Sequence, residues 1–136
     1  MAIMSILLQE ASLNKFVSLG TLVSGAIVFD MEVKIFVMDE AVWAFRKDKY
    51  KDLKIDTTVP GFEESLLKGI ENGTVNVWYD QLAELKEMGG VTINLCQLCC
   101  AIDNLEKDDF LDIVDRVASI ATYMDDIFNA DKVVCL

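Results

Sequence analysis

Two short apolar runs bracket a stretch of helical spacing near the start of the chain. Ala2–Leu8 is broken only by Ser5, and Glu32–Met38 is a second run rich in Val, Ile and Phe. Between them, Phe16, Val17, Gly20, Val23, Ile27 and Val28 recur near the 3.6-residue period. A strand, a crossing helix and a second strand admit few arrangements. The strands lie parallel, and the crossover is right-handed. Gly20, Ser24, Gly25 and Ala26 give that helix one small face, suited to lying close to a sheet or another subunit.

The alternation continues. Asp39-Glu40 opens a helix through Phe45, with acids in its first turn as the helix dipole favours and Arg46-Lys47 at its end. Residues 48–56 are polar and read as an exposed loop. Pro60-Gly61 starts a helix carrying Phe62, Leu66, Leu67 and Ile70, which ends near Asn72-Gly73. Thr74–Tyr79 alternates and predicts a third strand. Asp80 caps a helix with Leu82, Leu85 and Met88 on one face, stopped by Gly89-Gly90. Val91–Leu95 is the next strand, followed by a helix from Gln97 and a polar turn over residues 103–108. Leu111–Phe128 keeps the helical period throughout and predicts one long amphipathic helix. Lys132–Leu136 reads as a last strand, with Cys135 facing the core. The expectation is a single α/β domain over residues 1–136, with a parallel, flavodoxin-like sheet and helices on both faces.

Charge and composition narrow the function. With 23 acids against 12 bases the formal net charge is −11, which disfavours binding to nucleic acid or to anionic membrane surfaces. The longest uncharged run in the first third, Phe16–Phe29, is too short to span a bilayer. The apolar start lacks a basic flank, so a cytoplasmic protein is expected. There is no histidine. That removes Ser-His-Asp and Cys-His catalysis and histidine metal sites. Gly89-Gly90 lacks the further glycine and lysine of a phosphate loop, and no cofactor motif is found.

What remains is thiol chemistry. Three of the four cysteines, Cys96, Cys99 and Cys100, fall within five positions at the end of the Val91–Leu95 strand. Ligands of open parallel sheets gather at the carboxyl ends of strands. A helix starting at Gln97 makes Cys96 its N-cap, where the positive end of the helix favours a thiolate. Cys96-x-x-Cys99 also has dithiol spacing. A tetrathiolate zinc site needs a second pair, and only Cys100 and the remote Cys135 are left. The alternative is that these are small buried residues packing a strand–helix junction. Adjacent helical residues face different ways, which makes Cys100 the best candidate for packing. Trp43 and Phe45 read as helix core, and the acids at 103–109 as a solvated turn.

Several stretches together resemble the DsrE/DsrF-like proteins, especially the small members described as peroxiredoxin-like. They are Ala2–Leu8, Asp30–Val37, Ala41–Lys47, Val91–Asp103 and Val117–Asp125. Cys96 falls at the family's cysteine. The chain departs in a shorter segment over residues 50–73, in Cys99 where a serine is usual, and in Ala118-Ser119 where glycines are usual. The resemblance implies a DsrEFH-type sheet, a homo-oligomer, and a cysteine that carries sulfur as a persulfide or thiosulfonate. TusA-like carriers, rhodaneses and heterodisulfide-reductase-like complexes are the partners it implies. Cys96 is then the expected carrier and Cys99 or Cys100 the resolving thiol. A non-catalytic oligomeric interaction module with inert cysteines, and a CxxC dithiol oxidoreductase, are the alternatives.

Overall fold

The computed structural model describes residues 1–136. Five parallel strands form one sheet in the order β4-β3-β2-β1-β5. They are β1 (Ile3–Leu8), β2 (Glu32–Val37), β3 (Val91–Cys96), β4 (Arg116–Ala118) and β5 (Lys132–Cys135). The helices are α1 (Leu13–Val28), α2 (Phe62–Glu71), α3 (Trp78–Glu87), α4 (Gln97–Ile102) and α5 (Ile120–Asn129). The protein is thus a single α/β domain of the expected parallel, flavodoxin-like class.

Period-2 alternation sorts the strand residues onto two faces. Ile6 and Leu8, Val33, Ile35 and Val37, and Val91, Ile93 and Leu95 point to one side. There they meet Phe16, Leu19 and Val23 of α1 and Trp78, Leu82 and Leu85 of α3. This is the larger core. The opposite face carries Phe36, Cys96 and Ala118, packed against Tyr123 of α5. α5 alone covers that side, so Lys34 reaches across to the buried Asp126 of α5 at 3.6 Å.

The helix starting near residue 13 is capped by Ser12, whose hydroxyl accepts from the Lys15 amide at 3.3 Å. Gly20 lets α3 approach closely: a Cβ there would meet the Gln81 side chain at 2.0 Å. Gln81 in turn donates to Ser24 Oγ at 3.1 Å, so the small face serves helix–helix packing within the chain.

Several expectations are corrected. Thr74–Tyr79 is not a strand. Residues 74–77 form a connection, and Trp78-Tyr79 open α3. Trp78 is drawn inward as a helical residue, with its ring 4.6 Å from Phe16 and 5.4 Å from Phe45. That packing outweighs a short alternating pattern. Leu111–Phe128 is not one helix; it divides into β4 and α5. Val114 and Val117 suit either period. Pairing of Asn94, Leu95 and Cys96 with Arg116, Val117 and Ala118 decides for a strand. The helix expected over residues 39–45 is present, in 3₁₀ form. Cys135 is exposed, because β5 is an edge strand with only β1 beside it.

Asp115 holds the turn into β4. Its carboxylate accepts from the Ile93 amide at 2.7 Å and from Lys86 Nζ at 2.5 Å, tying α3 to β3. Charge-assisted bonds of this kind are worth about 1.5–3 kcal/mol each. Asp115→Ala is expected to lower unfolding free energy by about 2 kcal/mol in urea titration. Lys86→Met, which keeps the bond to Ile93, is expected to cost less.

Candidate functional site

The site lies where the chain changes side of the sheet. β3 runs into α4, whose Cys100 belongs to the larger core. The neighbouring β4 runs into α5, whose Tyr123 belongs to the smaller one. Adjacent strands with connections to opposite faces make a topological switch point, where open α/β sheets bind ligands. Cys96 is the last residue of β3 and the N-cap of α4, as its sequence position predicts.

The three clustered cysteines have different surroundings. Cys96 is 3% exposed, packed with Phe36, Ala118 and Tyr123, and its side chain makes no capping hydrogen bond. Cys99, one turn on, is half-buried and touches both cores. Its Sγ accepts a hydrogen bond from the Asp39 amide at 3.2 Å. Cys100 is buried in the larger core. The fold therefore brings Cys96 and Cys99 together and turns Cys100 away. Cys135 is on the far edge of the sheet, separated from β3 by β1 and β2.

Asp39 reaches Cys99 because β2 and β3 are neighbours in register, Val37 beside Leu95. The chain then bends sharply: Asp39 has φ 54°, in the left-handed region that Asp tolerates better than most residues. Its carboxylate accepts from Gln9 Nε2 at 3.0 Å, which braces the bend. Such backbone strain costs of order 1–3 kcal/mol and gathers at functional sites. Here it aims an N–H at a sulfur.

Burial pushes the Cys99 thiol above its usual 9.0; the Asp39 amide pulls it down, and the adjacent Cys96 pushes it up again. Burial, with the neighbouring Cys99 and Cys96, pushes Cys100 up to about 11. At these two positions, desolvation outweighs the help expected from the helix terminus. α4 is only six residues long, so few aligned peptide dipoles add up.

The acids after α4 are exposed, as a solvated turn should be. Trp43, read from the sequence as helix core, is instead 45% exposed, and its indole donates to Asp103 Oδ2 at 3.1 Å. The Arg46 guanidinium lies 4.8 Å from the Trp43 ring. With the exposed Leu98 and Ile102 of α4, Trp43 adds to the exposed apolar surface around the cysteines. The Asp39 amide had no signal of its own in the sequence; only the pairing of β2 with β3 reveals it. No three His, Cys, Asp or Glu side chains are grouped to hold a metal ion. No helix is long and apolar enough to cross a membrane.

No protein-family model matches the chain, and neither does any curated protein. Solved structures do. A protein of unknown function, MTH1491 from Methanobacterium thermoautotrophicum, superposes with a TM-score of 0.70 at 13% identity, over 100% of both chains. The ychN protein from E. coli superposes with a TM-score of 0.63 at 17% identity, again over 100% of both. Full-length agreement at such low identity is a likeness of architecture: the chain shares the fold of MTH1491 and of the ychN protein.

Proposed function

We propose that the chain carries sulfur on the Cys96–Cys99 pair. The observation behind this reading is the Asp39 amide held 3.2 Å from Cys99 Sγ beside a second thiol, at the switch point of a DsrE/YchN-like sheet. An N–H aimed at sulfur stabilises the thiolate and the negative charge of a terminal sulfur atom. Cys99 is the more accessible of the pair, so it makes the first attack. Cys96, buried behind it, resolves the adduct. This reverses the order that the strand-end position of Cys96 suggests.

With tetrathionate as donor, the Cys99 thiolate attacks a central sulfur. The S–S bond breaks, thiosulfate leaves with the electron pair, and Cys99 holds a thiosulfonate. Attack by the Cys96 thiolate on Cys99 Sγ then forms the Cys96–Cys99 disulfide and expels a second thiosulfate. If an acceptor protein's thiolate attacks the outer, sulfane sulfur instead, the bond to Cys99 Sγ breaks, Cys99 leaves as a thiolate and the thiosulfonate passes onward. Partners of the TusA-like, rhodanese or heterodisulfide-reductase-like kind suit that step, in a cytoplasm that keeps thiols reduced. Ile120, Met124 and Phe128, exposed and four residues apart on α5, support a homo-oligomer built through that helix.

Intact mass after tetrathionate treatment tests the assignment. Every protein compared carries Cys135→Ser, because Cys135 is exposed and would itself be modified. With no further change the chain is expected to end as a disulfide, with Cys96→Ser to retain the thiosulfonate, and with Cys99→Ser to gain neither. Equal adducts on that Cys135→Ser parent and on its Cys96→Ser/Cys99→Ser variant would overturn the carrier reading. The burial of Cys96 and the raised Cys99 thiol favour a second reading, an inert interaction module. It predicts that iodoacetamide labels none of the clustered cysteines until the protein is denatured.

A further inference from the structure

Away from the cysteines, α2, α3 and the turns after the 3₁₀ helix enclose a cavity of about 240 Å3. Its walls include Tyr50, Leu53, Ile70, Trp78 and Tyr79, and its one charged lining residue is Lys51. Tyr50 and Tyr79 meet edge-on at 4.8 Å, and Trp78 and Tyr79 at 5.4 Å. A continuous aromatic wall thus runs from the core to the surface. α2 forms part of the cavity's outer side and is seated lightly, with Leu66 its only buried residue.

Charge gives the cavity a sign. Arg46, Lys47, Lys49, Lys51 and Lys54 are five of the 12 basic residues of the chain. Residues 46–54 carry a net +3 in a protein of net −11. The Lys51 ammonium stands 5.5 Å from the Tyr50 ring, which keeps it at the cavity. Size sets the remainder: an apolar void of roughly 150 Å3 accommodates benzene, so this one has room for a ring and a short chain.

We propose that this cavity binds a small aromatic carboxylate, with the ring against Tyr79 and Trp78 and the carboxylate on Lys51. Apolar walls with one convergent charge are the usual make-up of a small-molecule site. The site shares no residue with the cysteine cluster and stands or falls independently of it.

Trp43→Phe leaves Trp78 as the sole tryptophan, a reporter inside the cavity. Titration of that variant with 3-phenylpropionate is expected to change Trp78 emission saturably. Affinity is expected to be at least about fivefold tighter than for 3-phenylpropylamine, the ratio that one partly exposed charge pair supports. Adding Lys51→Glu, an exposed substitution that keeps the fold, is expected to reverse the preference. No saturable change with the acid, or equal affinity for acid and amine, would overturn the proposal.

Discussion

Phe45→Ala is expected to destabilise the protein by about 3–5 kcal/mol, the range for emptying a fully buried aromatic site. Phe45 is fully buried, and its ring lies 5.6 Å from Phe16 and 5.4 Å from Trp78. The cost combines lost transfer energy, an unfilled cavity and two broken aromatic contacts. Domains of this kind hold about 5–15 kcal/mol in total, so the variant would sit near the edge of folding. Phe45 also closes the 3₁₀ helix that begins at Asp39, and its carbonyl accepts from the Leu111 amide at 2.8 Å. Loosening it frees the bend that presents the Asp39 amide to Cys99. Phe62→Ala, at a residue 40% exposed on α2, is the comparison, expected to cost under about 1 kcal/mol. Guanidinium titration of both variants checks the contrast; equal losses would show that the aromatic cluster is not the keystone of the larger core.

Alkali is expected to weaken the folded state through Cys100. The thiol ionises near its usual 9.0 in the unfolded chain and at about 11 in the folded one. Below pH 9 it is protonated in both states, and the folded state keeps its full advantage. As pH rises from 9 to 11, only the unfolded chain ionises, so stability falls. The loss approaches 2–3 kcal/mol, on the order that a shift of this size implies. Cys99, also pushed upward, acts in the same direction. Cys100→Ala is expected to start less stable at pH 7 and to lose less between pH 9 and 11. A slope of stability against pH identical to that of the unmodified protein would remove Cys100 as the cause. The same shifts bear on reactivity, because the thiolate is the attacking species. Alkylation of Cys99 is expected to be slow at neutral pH and to accelerate as pH passes 9.

The sequence pattern identifies the three strands buried on the larger core face, and also the exposed edge strand β5. β1, β2 and β3 are dense in Ile, Leu and Val, and their periodicity admits little else. β4 escaped because three residues, Arg116–Ala118, carry too little pattern to stand out from a helical background. Their strand character comes from pairing with β3, a contact that spacing alone does not encode. Trp78 failed for the converse reason. Its local alternation was overruled by two phenylalanine rings contributed from elsewhere in the chain. The cysteine cluster was visible as a strand end, and the separation of Cys100 from Cys96 and Cys99 followed from helical geometry. Which thiol faces outward did not follow. That depends on α5, which covers Cys96, and on a left-handed Asp39 at the end of the neighbouring strand, 60 residues before Cys99 in the sequence.

Closure of the sheet by β5 against β1 has a consequence for biosynthesis. Parallel pairing of distant segments is slow to form, and nascent chains fold from the N-terminus as they emerge. Most of the larger core can assemble once α3 and β3 have been made, because it draws chiefly on β1, β2, α1 and those elements, with Cys100, Phe110 and Val114 following soon after. The smaller core cannot, since Tyr123 arrives with α5. Between those two moments Cys96 lacks the cover of Tyr123, and its thiol is expected to be more open to oxidants than in the finished fold.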